Sequence, residues 1–231
     1  MPRKAYDKVK VNFVGRFFED LTKAMFRCER APIEEGDFHI WESNFGIEVK
    51  SSDNNHELRL PLHQLDAFKR MSNGFPFDNF FFFLFCYNNF YKKDAYGNKI
   101  TSLSEHDDKI EVRDFLASNL DTLFIIDIAV MEFLLSVCRI SDKSIPLHRG
   151  VKSLNVRPSY LKRLADGGWQ AMTGKAQKFR PEAFDCRFRF NPDLLECYEL
   201  NLKVVIISSP REVKKLLSSS ILKDLEIKNP R

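Results

Sequence analysis

The sequence lacks the features that define several common protein classes. Its five cysteines are an odd number, lie far apart and include no Cys-x-x-Cys pair, which argues against a disulfide framework and against a zinc site. The longest apolar stretch, Thr122 to Cys138, is interrupted by Asp127 and Glu132 and is too short to span a bilayer comfortably. No internal repeat occurs, and the only low-complexity tract is a run of phenylalanines. A disulfide-rich, membrane-spanning or repeat architecture is therefore not expected.

A signal peptide is also lacking, because Met1 to Lys10 is basic and polar and no apolar stretch follows it. We therefore expect a cytoplasmic protein without a membrane partner, whose cysteines are reduced and serve in packing. With 231 residues, of which 44% are hydrophobic and 29% charged, the chain has the composition of a soluble globular protein. That length is sufficient for one sizeable core.

Residues 36 to 52 carry the most informative pattern. Two short runs, Asp37 to Trp41 and Phe45 to Ser51, flank a polar triplet and predict a β-hairpin with a tight turn. Because strand side chains alternate between faces, one face carries Phe38, Ile40, Ile47 and Val49. The other face carries Asp37, His39, Glu48 and Lys50. The apolar set is expected in the core and the charged set in a cleft.

Two carboxylates and an ammonium on one surface suit a magnesium ion, which takes oxygen ligands and keeps several waters. One such water, polarised by the metal, can become a nucleophile. His39, on the same face, is a candidate accessory base or simply a polar neighbour. The alternative for the whole face is a solvated hairpin surface with cross-strand ion pairs.

The segments around the hairpin predict two helices and a buried strand. Upstream, helical spacing joins Val14, Phe17, Phe18, Leu21 and Met25, with Glu19 at the edge of this apolar stripe. Downstream, Pro61 fits the first turn of a helix whose apolar side carries Leu58, Leu62, Leu65 and Phe68 and whose polar side carries Gln64 and Lys69. Phe80 to Tyr87 is typical of a strand buried on both faces.

This order of elements, with Asp37 on one strand and Glu48-Val49-Lys50 on the next, resembles the PD-(D/E)xK phosphodiesterase superfamily, the restriction-endonuclease-like nucleases. The resemblance covers about residues 10 to 90, and Gly36 stands where the motif usually has proline. It implies an α/β fold with a restriction-endonuclease-like mixed central sheet, the hairpin in its middle and helices on both faces. It also implies that Asp37, Glu48 and the Val49 carbonyl bind Mg²⁺, for which Mn²⁺ substitutes. Lys50 would orient or help to deprotonate the attacking water.

Two further residues take roles from the same resemblance. Glu19 would hold metal-bound waters or a second metal, although an ordinary solvated helix residue is the alternative. Gln64, followed by Phe68, is similar to the Gln-x-x-x-Tyr element of the exonuclease branch and would position the DNA backbone or water. A surface glutamine is the alternative for Gln64.

The segment from Ser141 to Pro181 is basic, with nine Lys or Arg against two Asp in a chain whose net charge is +4. A basic stretch beside an acidic metal site suits a protein that holds a polyanion. Tyr160 and Trp169 lie among these charges and are candidates to pack on sugar or base. The predicted DNA-binding residues are Lys152, Arg157, Lys162, Arg163, Lys175, Lys178 and Arg180. A solvated surface with core aromatics is the alternative.

The remaining elements place a boundary near residue 140, between a nuclease core (1–140) and a basic carboxy-terminal extension (141–231) with further strands, packed on the core. Thr122 to Cys138 is either a strand leading into a helix or one buried helix. The other predicted elements are a loop or an excursion of the sheet at Asp94 to Lys109, a helix at Glu111 to Leu120, strands at Phe184 to Phe190 and Glu199 to Ser208, and a short helix from Pro210.

These patterns together predict a magnesium-dependent DNA endonuclease that hydrolyses phosphodiester bonds, of restriction or structure-specific repair type. Double-stranded DNA is the expected partner, and two cuts in two strands favour a homodimer. Two alternatives stay open: a catalytically silent nucleic-acid-binding module of the same fold, and an interaction protein with a charged hairpin face.

Overall fold

The structure of the chain is a computed structural model, which describes residues 5–26, 28–32, 35–54, 56–72, 77–89, 92–93, 99–100, 103, 108–137, 140–141, 153–166, 171–173, 202–208 and 211. Within these residues the fold is mixed α/β, with a seven-stranded central sheet and helices on both faces. The helices are α1 (Ala5–Phe26), α2 (Leu62–Met71), α3 (Lys109–Asn119), α4 (Ile128–Val137) and α5 (Pro158–Asp166). None of these described helices is both long and apolar enough to cross a membrane.

The described strands fall into three sheets. In chain order they are β1 (Glu29–Arg30), β2 (Phe38–Ile40), β3 (Phe45–Asp53), β4 (Leu58–Pro61), β5 (Asn79–Tyr87), β6 (Lys92–Lys93), β7 (Lys99–Ile100), β8 (Leu120–Asp127), β9 (Ile140–Ser141), β10 (Ser153–Val156), β11 (Ala171–Thr173) and β12 (Lys203–Ile207). The central sheet has the order β1-β2-β3-β5-β8-β12-β11. Beside it lie a three-stranded sheet, β4-β10-β9, and the β6-β7 pair.

The predicted hairpin is confirmed. Strands β2 and β3 pair antiparallel, with Phe38 opposite Ile47, and a 3₁₀ turn at Trp41–Ser43 joins them. Asn44 ends that turn in the left-handed region, with φ 50°, where asparagine is tolerated better than most residues. The hairpin is not in the middle of the sheet, however. The centre is taken by β5, whose side chains are buried on both faces and which pairs with β3 and β8.

The sheet divides the core into two layers. The side chains of α1 and α3 pack on one face, together with Phe38, Ile47 and Val49 of the hairpin. On the other face, α2, α4 and α5 pack against alternate residues of β5, such as Phe80 and Phe82. The predicted apolar stripe of α1 is confirmed, because Val14, Phe17, Phe18, Leu21 and Met25 are all buried.

Several other sequence predictions are settled by these elements. Residues 122 to 137 form a strand that leads into a helix, β8 and α4, and the strand predicted near Glu199 to Ser208 is β12. Leu58 does not belong to the apolar side of α2 as predicted, because it begins β4, where it lies opposite Val156 of β10. Strands from both sides of residue 140 share one sheet, since β12 lies parallel to β8.

Some predictions lie outside the described residues. These are the strand at Phe184 to Phe190, most of the loop or sheet excursion at Asp94 to Lys109, of which only β7 and a few other residues are described, the helix after Arg211, and Cys138, Cys186 and Cys197. The two described cysteines, Cys28 and Cys86, are free and buried. Burial raises the pKa of each thiol to about 12, so both serve in packing.

Gly46 of β3 fills a position where no side chain fits. A Cβ atom there would lie 2.5 Å from Cδ2 of Phe80 and 2.6 Å from Cδ2 of Phe77. Phe80 cannot move away, because it is fully buried and its ring stacks on Phe68 with centroids 4.3 Å apart. The glycine therefore lets the hairpin lie directly against the aromatic layer that supports it.

Replacing Gly46 by alanine should destabilise the protein by about 2 to 3 kcal/mol, the usual cost of overpacking a dense core. Gly15→Ala is the matched control, because a Cβ at Gly15 in α1 meets nothing within 4 Å. That control should raise the free energy of unfolding by about 1 kcal/mol through helix propensity. Urea denaturation of both variants measures the two effects, and equal stabilities would contradict this account of the hairpin.

Candidate active site

Asp37 is fastened to strand β3 at two points. Its backbone N–H donates to the Ile47 carbonyl at 2.8 Å, and its Oδ2 accepts from the Val49 N–H at 2.7 Å. The second bond places the Asp37 carboxylate beside the backbone segment that carries Glu48 and Lys50. Since these two residues alternate along β3, their side chains share one face, and Lys50 Nζ is ion-paired with Glu48 Oε1. The structure thus brings together Asp37, Glu48 and Lys50, as the sequence predicts.

Gly36 explains the missing proline of the motif. Its φ is +95°, and a Cβ atom would lie 2.8 Å from Cζ of Phe80 and 2.9 Å from the Ile47 carbonyl oxygen. Proline holds φ near about −65°, so it cannot adopt this conformation. The chain approaches the site through a glycine because the backbone passes close to Phe80 just before Asp37.

The two carboxylates are poorly hydrated. The Glu48 side chain is 8% exposed and that of Lys50 27%, so the charged set lies in a recess rather than on an open face. Burial raises the pKa of Glu48 to about 7, against the opposing effect of the Lys50 ammonium. Burial also raises the pKa of Asp37, opposed by the Val49 hydrogen bond and by Lys50. For both carboxylates the effect of burial on the pKa outweighs that of the Lys50 ammonium.

Glu19 and Arg30 act on the same carboxylates from the α1 side of the sheet, where the Arg30 guanidinium lies over the Phe38 ring. The Glu19 charge raises the pKa of both Asp37 and Glu48, and the Arg30 charge lowers that of Asp37. Glu19 Oε2 accepts from Arg30 at 2.6 Å, and the Arg30 side chain is 60% exposed. Arg30 was not predicted, because a two-residue strand carries no recognisable alternation. Its guanidinium adds a positive charge that acts on Asp37.

Asp37, Glu48 and the Val49 carbonyl are the groups of this site that could hold a magnesium ion. Asp37 and Glu48 supply two carboxylates, and the Val49 N–H faces Asp37. Because the N–H and C=O of one strand residue point toward the same neighbour, the Val49 carbonyl is directed to the Asp37 side as well. No group of three or more His, Cys, Asp or Glu side chains able to hold a metal occurs among the described residues. Magnesium does not need one, because it binds through one or two carboxylates and keeps several waters.

The contacts of His39 are those of a structural residue. Its imidazole is buried, lies with centroids 3.8 Å from Trp41 and 4.7 Å from Phe77, and has Nε2 3.2 Å from Asn44 Oδ1. These contacts tie the ring to the turn between β2 and β3. They favour the polar-neighbour alternative over an accessory base.

Gln64 lies on α2, half-buried, next to Leu65, whose side chain is buried. The helix covers the sheet face that carries Glu48, because Phe68 packs on Phe82, the residue opposite Glu48 in β5. Gln64 is therefore on the correct side of the sheet. Its role toward DNA or water stays a prediction.

Two basic residues in the described part of this segment form ion pairs within the fold. Arg157 pairs with Glu57 at 2.9 Å and Lys162 with Asp121 at 2.5 Å. Tyr160 was predicted as a candidate for packing on sugar or base, but only 7% of it is exposed because α5 turns it into the core. Arg163 lies in α5, but its side chain is outside the described residues, as are Lys152, Trp169, Lys175, Lys178 and Arg180.

The raised pKa of Glu48 makes stability depend on pH. The free energy of unfolding of the metal-free protein should fall from about pH 5 to about pH 8. Glu48 keeps its proton to about pH 7 in the folded protein, whereas in the unfolded chain it loses the proton at lower pH. Glu48→Gln has no proton to lose, so its decline should be smaller by about 1 to 3 kcal/mol. Urea denaturation across this range, with chelator present, measures the difference.

Asp66→Asn is the control for this experiment, because Asp66 is exposed on α2. Its decline should match that of the wild type. Parallel curves for the wild type and Glu48→Gln would contradict the assignment of a raised pKa to Glu48.

Comparison with known proteins gives no match. No protein-family model fits the sequence, and no curated protein or solved structure is significantly similar to it. A function can therefore be inferred only from the arrangement of Asp37, Glu48 and Lys50 and from the charges around them.

Proposed function

We propose that the chain is a magnesium-dependent DNA endonuclease with a restriction-endonuclease-like fold. One observation carries the proposal: the Asp37 carboxylate is hydrogen-bonded to the Val49 N–H, directly between the residues that bear the buried Glu48 carboxylate and the Lys50 ammonium. The two carboxylates have raised pKa values and share one ammonium, so the three groups do not form a favourable structural ion pair. They are a good site for a divalent cation and a water.

The roles of the residues follow from their positions. Asp37, Glu48 and the Val49 carbonyl would hold Mg²⁺ or Mn²⁺, which supplies an acidified water and neutralises charge on a phosphate. The Lys50 ammonium, freed from Glu48, would orient that water, favour its ionisation to hydroxide and stabilise the phosphate charge. Glu19 would hold outer waters through the oxygen that Arg30 does not engage. The exposed Arg30 fork would bind a phosphate oxygen, for which guanidinium geometry is suited.

A polyanionic substrate agrees with the distribution of charge. The segment from Ser141 to Pro181 carries nine basic and two acidic residues, and its described strand β10 is attached to the core through β4. Basic residues of this kind bind phosphates without reading sequence. The proposed substrate is duplex DNA. The proposed assembly is a homodimer, which would place one site on each strand.

The test is an incubation of the purified protein with supercoiled plasmid in Mg²⁺, in Mn²⁺ and in chelator, alongside a gel-shift assay in chelator. Nicked or linear plasmid that forms only with metal supports the nuclease. DNA binding without cutting would replace it by a silent nucleic-acid-binding module, and neither activity would leave an interaction protein.

One observation favours the silent module as the second candidate. In the structure Lys50 is paired directly with Glu48, so a metal must displace this ion pair to reach the carboxylate. If the pair persists in Mg²⁺, the hairpin binds DNA through Lys50 and Arg30 without hydrolysing it. Magnesium titration by calorimetry separates the two, because only the nuclease requires a metal bound at Glu48.

A further inference from the structure

Trp41 is an exposed aromatic residue that is held rigidly. Among the described residues, the exposed large hydrophobic side chains are Trp41, 62% exposed, and Ile110, 60% exposed. The Trp41 indole N–H donates to Glu29 Oε2 at 2.8 Å, and its ring lies 3.8 Å from the His39 ring. Both contacts fix the plane of the indole while most of its surface stays in water. An apolar ring fixed in this way is available for a partner.

The ring lies on the same side of the hairpin as the candidate active site. Its contact with His39 places it on the face that His39 shares with Glu48, because His39 is opposite Gly46, two residues before Glu48 in β3. Trp41 follows Asp37 by four residues, which is at most about 13 Å along an extended strand. Arg30 is opposite Phe38 in β1 and lies over the Phe38 ring, so it is on the other face of the hairpin, toward α1.

We propose that Trp41 is a stacking platform for an unpaired base, so that the substrate is duplex DNA with a short single-stranded segment beside the scissile phosphate. This inference rests on the proposed function. A base inside a duplex is already stacked on both sides, whereas an unpaired base offers a free face to an aromatic ring. With the scissile phosphate at the recess of Glu48 and Lys50 and Trp41 under a base further along the same face, one strand crosses the hairpin from the recess to the turn.

The test compares Trp41→Ala with the wild type in chelator, where no cutting occurs. Fluorescence anisotropy measures binding of a labelled single-stranded oligonucleotide and of the duplex of the same sequence. Trp41→Ala should weaken single-strand binding about tenfold, the usual effect of removing one stacking aromatic, and change duplex binding by less than about twofold. Trp41→Phe keeps an aromatic face and should recover most of the affinity.

Ile110→Ala is the matched control, because Ile110 is about equally exposed but belongs to α3, which packs on the opposite face of the sheet. It should change neither affinity. Equal losses on single strand and duplex, no loss on either, or a wild type that binds no single strand would each overturn the inference.

The two proposals fail differently. Metal-dependent cutting by a wild type whose single-strand affinity does not depend on Trp41 would leave the nuclease and remove the platform. Selective loss of single-strand binding in Trp41→Ala, with no cutting in any metal, would leave the platform and remove the nuclease.

Discussion

Asp37→Asn and Glu48→Gln should each lower the single-turnover rate of DNA cleavage by at least about 1,000-fold, or about 4 kcal/mol of activation free energy. Each variant keeps the shape of its side chain and loses a charge that the metal requires. The asparagine oxygen still accepts from the Val49 N–H, so the hairpin geometry should persist. Cleavage is measured with protein in excess over plasmid, and folding by circular dichroism and thermal denaturation.

Binding provides the internal check on this prediction. DNA affinity in chelator should stay within a few-fold of the wild type or rise, because each variant removes a negative charge near the phosphate backbone. Asp66→Asn removes a carboxylate from the exposed side of α2 and should leave the rate unchanged. Cleavage near the wild-type rate in either site variant would refute the metal-ligand assignment.

The hairpin could be predicted because its information is local. Period-two alternation places Phe38 and Ile47 on one face and Glu48 and Lys50 on the other, and the turn residues mark where the chain reverses. The pairing of Phe38 with Ile47 is what that alternation requires. Local pattern therefore predicted the hairpin and the residues that share its charged face.

Arg30 and Trp41 were missed because their importance depends on contacts that are distant in sequence. Arg30 becomes part of the site by pairing with Glu19, eleven residues earlier. Trp41 was predicted as a strand residue, yet its indole is bonded to Glu29, twelve residues earlier. Hydrophobic periodicity predicts neither contact, because β1, which carries Glu29 and Arg30, is only two residues long.

The burial of Glu48 also could not be read from alternation. A strand pattern says which face a side chain is on, but not what covers that face. Here helix α2 covers that face, because Phe68 of α2 packs on Phe82, which lies opposite Glu48 in β5. Helix α5 packs in the same layer and directs Tyr160 into the core. For this reason an aromatic residue among basic residues is a core residue here.

The pairing of Lys50 with Glu48 leads to the final prediction. Lys50→Ala should lower the single-turnover rate by about 100-fold or more, while DNA affinity changes only a few-fold, because the ammonium acts on the water or phosphate during the chemical step. Lys50→Arg should recover only part of the rate, since a planar fork does not replace a compact ammonium. Lys69→Ala is the control: Lys69 is also ion-paired, with Glu132 at 2.5 Å, but it lies on the exposed side of α2.

A pH profile shows whether Lys50 acts beside Glu48 or merely supports the fold. The Lys50 charge lowers the pKa of Glu48, opposing the effect of burial. Without that charge Glu48 should hold its proton to higher pH, so the acidic limb of the rate profile should move upward in Lys50→Ala. In Lys50→Arg a positive charge remains and the limb should stay near its wild-type position. An unshifted limb in Lys50→Ala, or a loss of affinity as large as the loss of rate, would place Lys50 in DNA binding instead of chemistry.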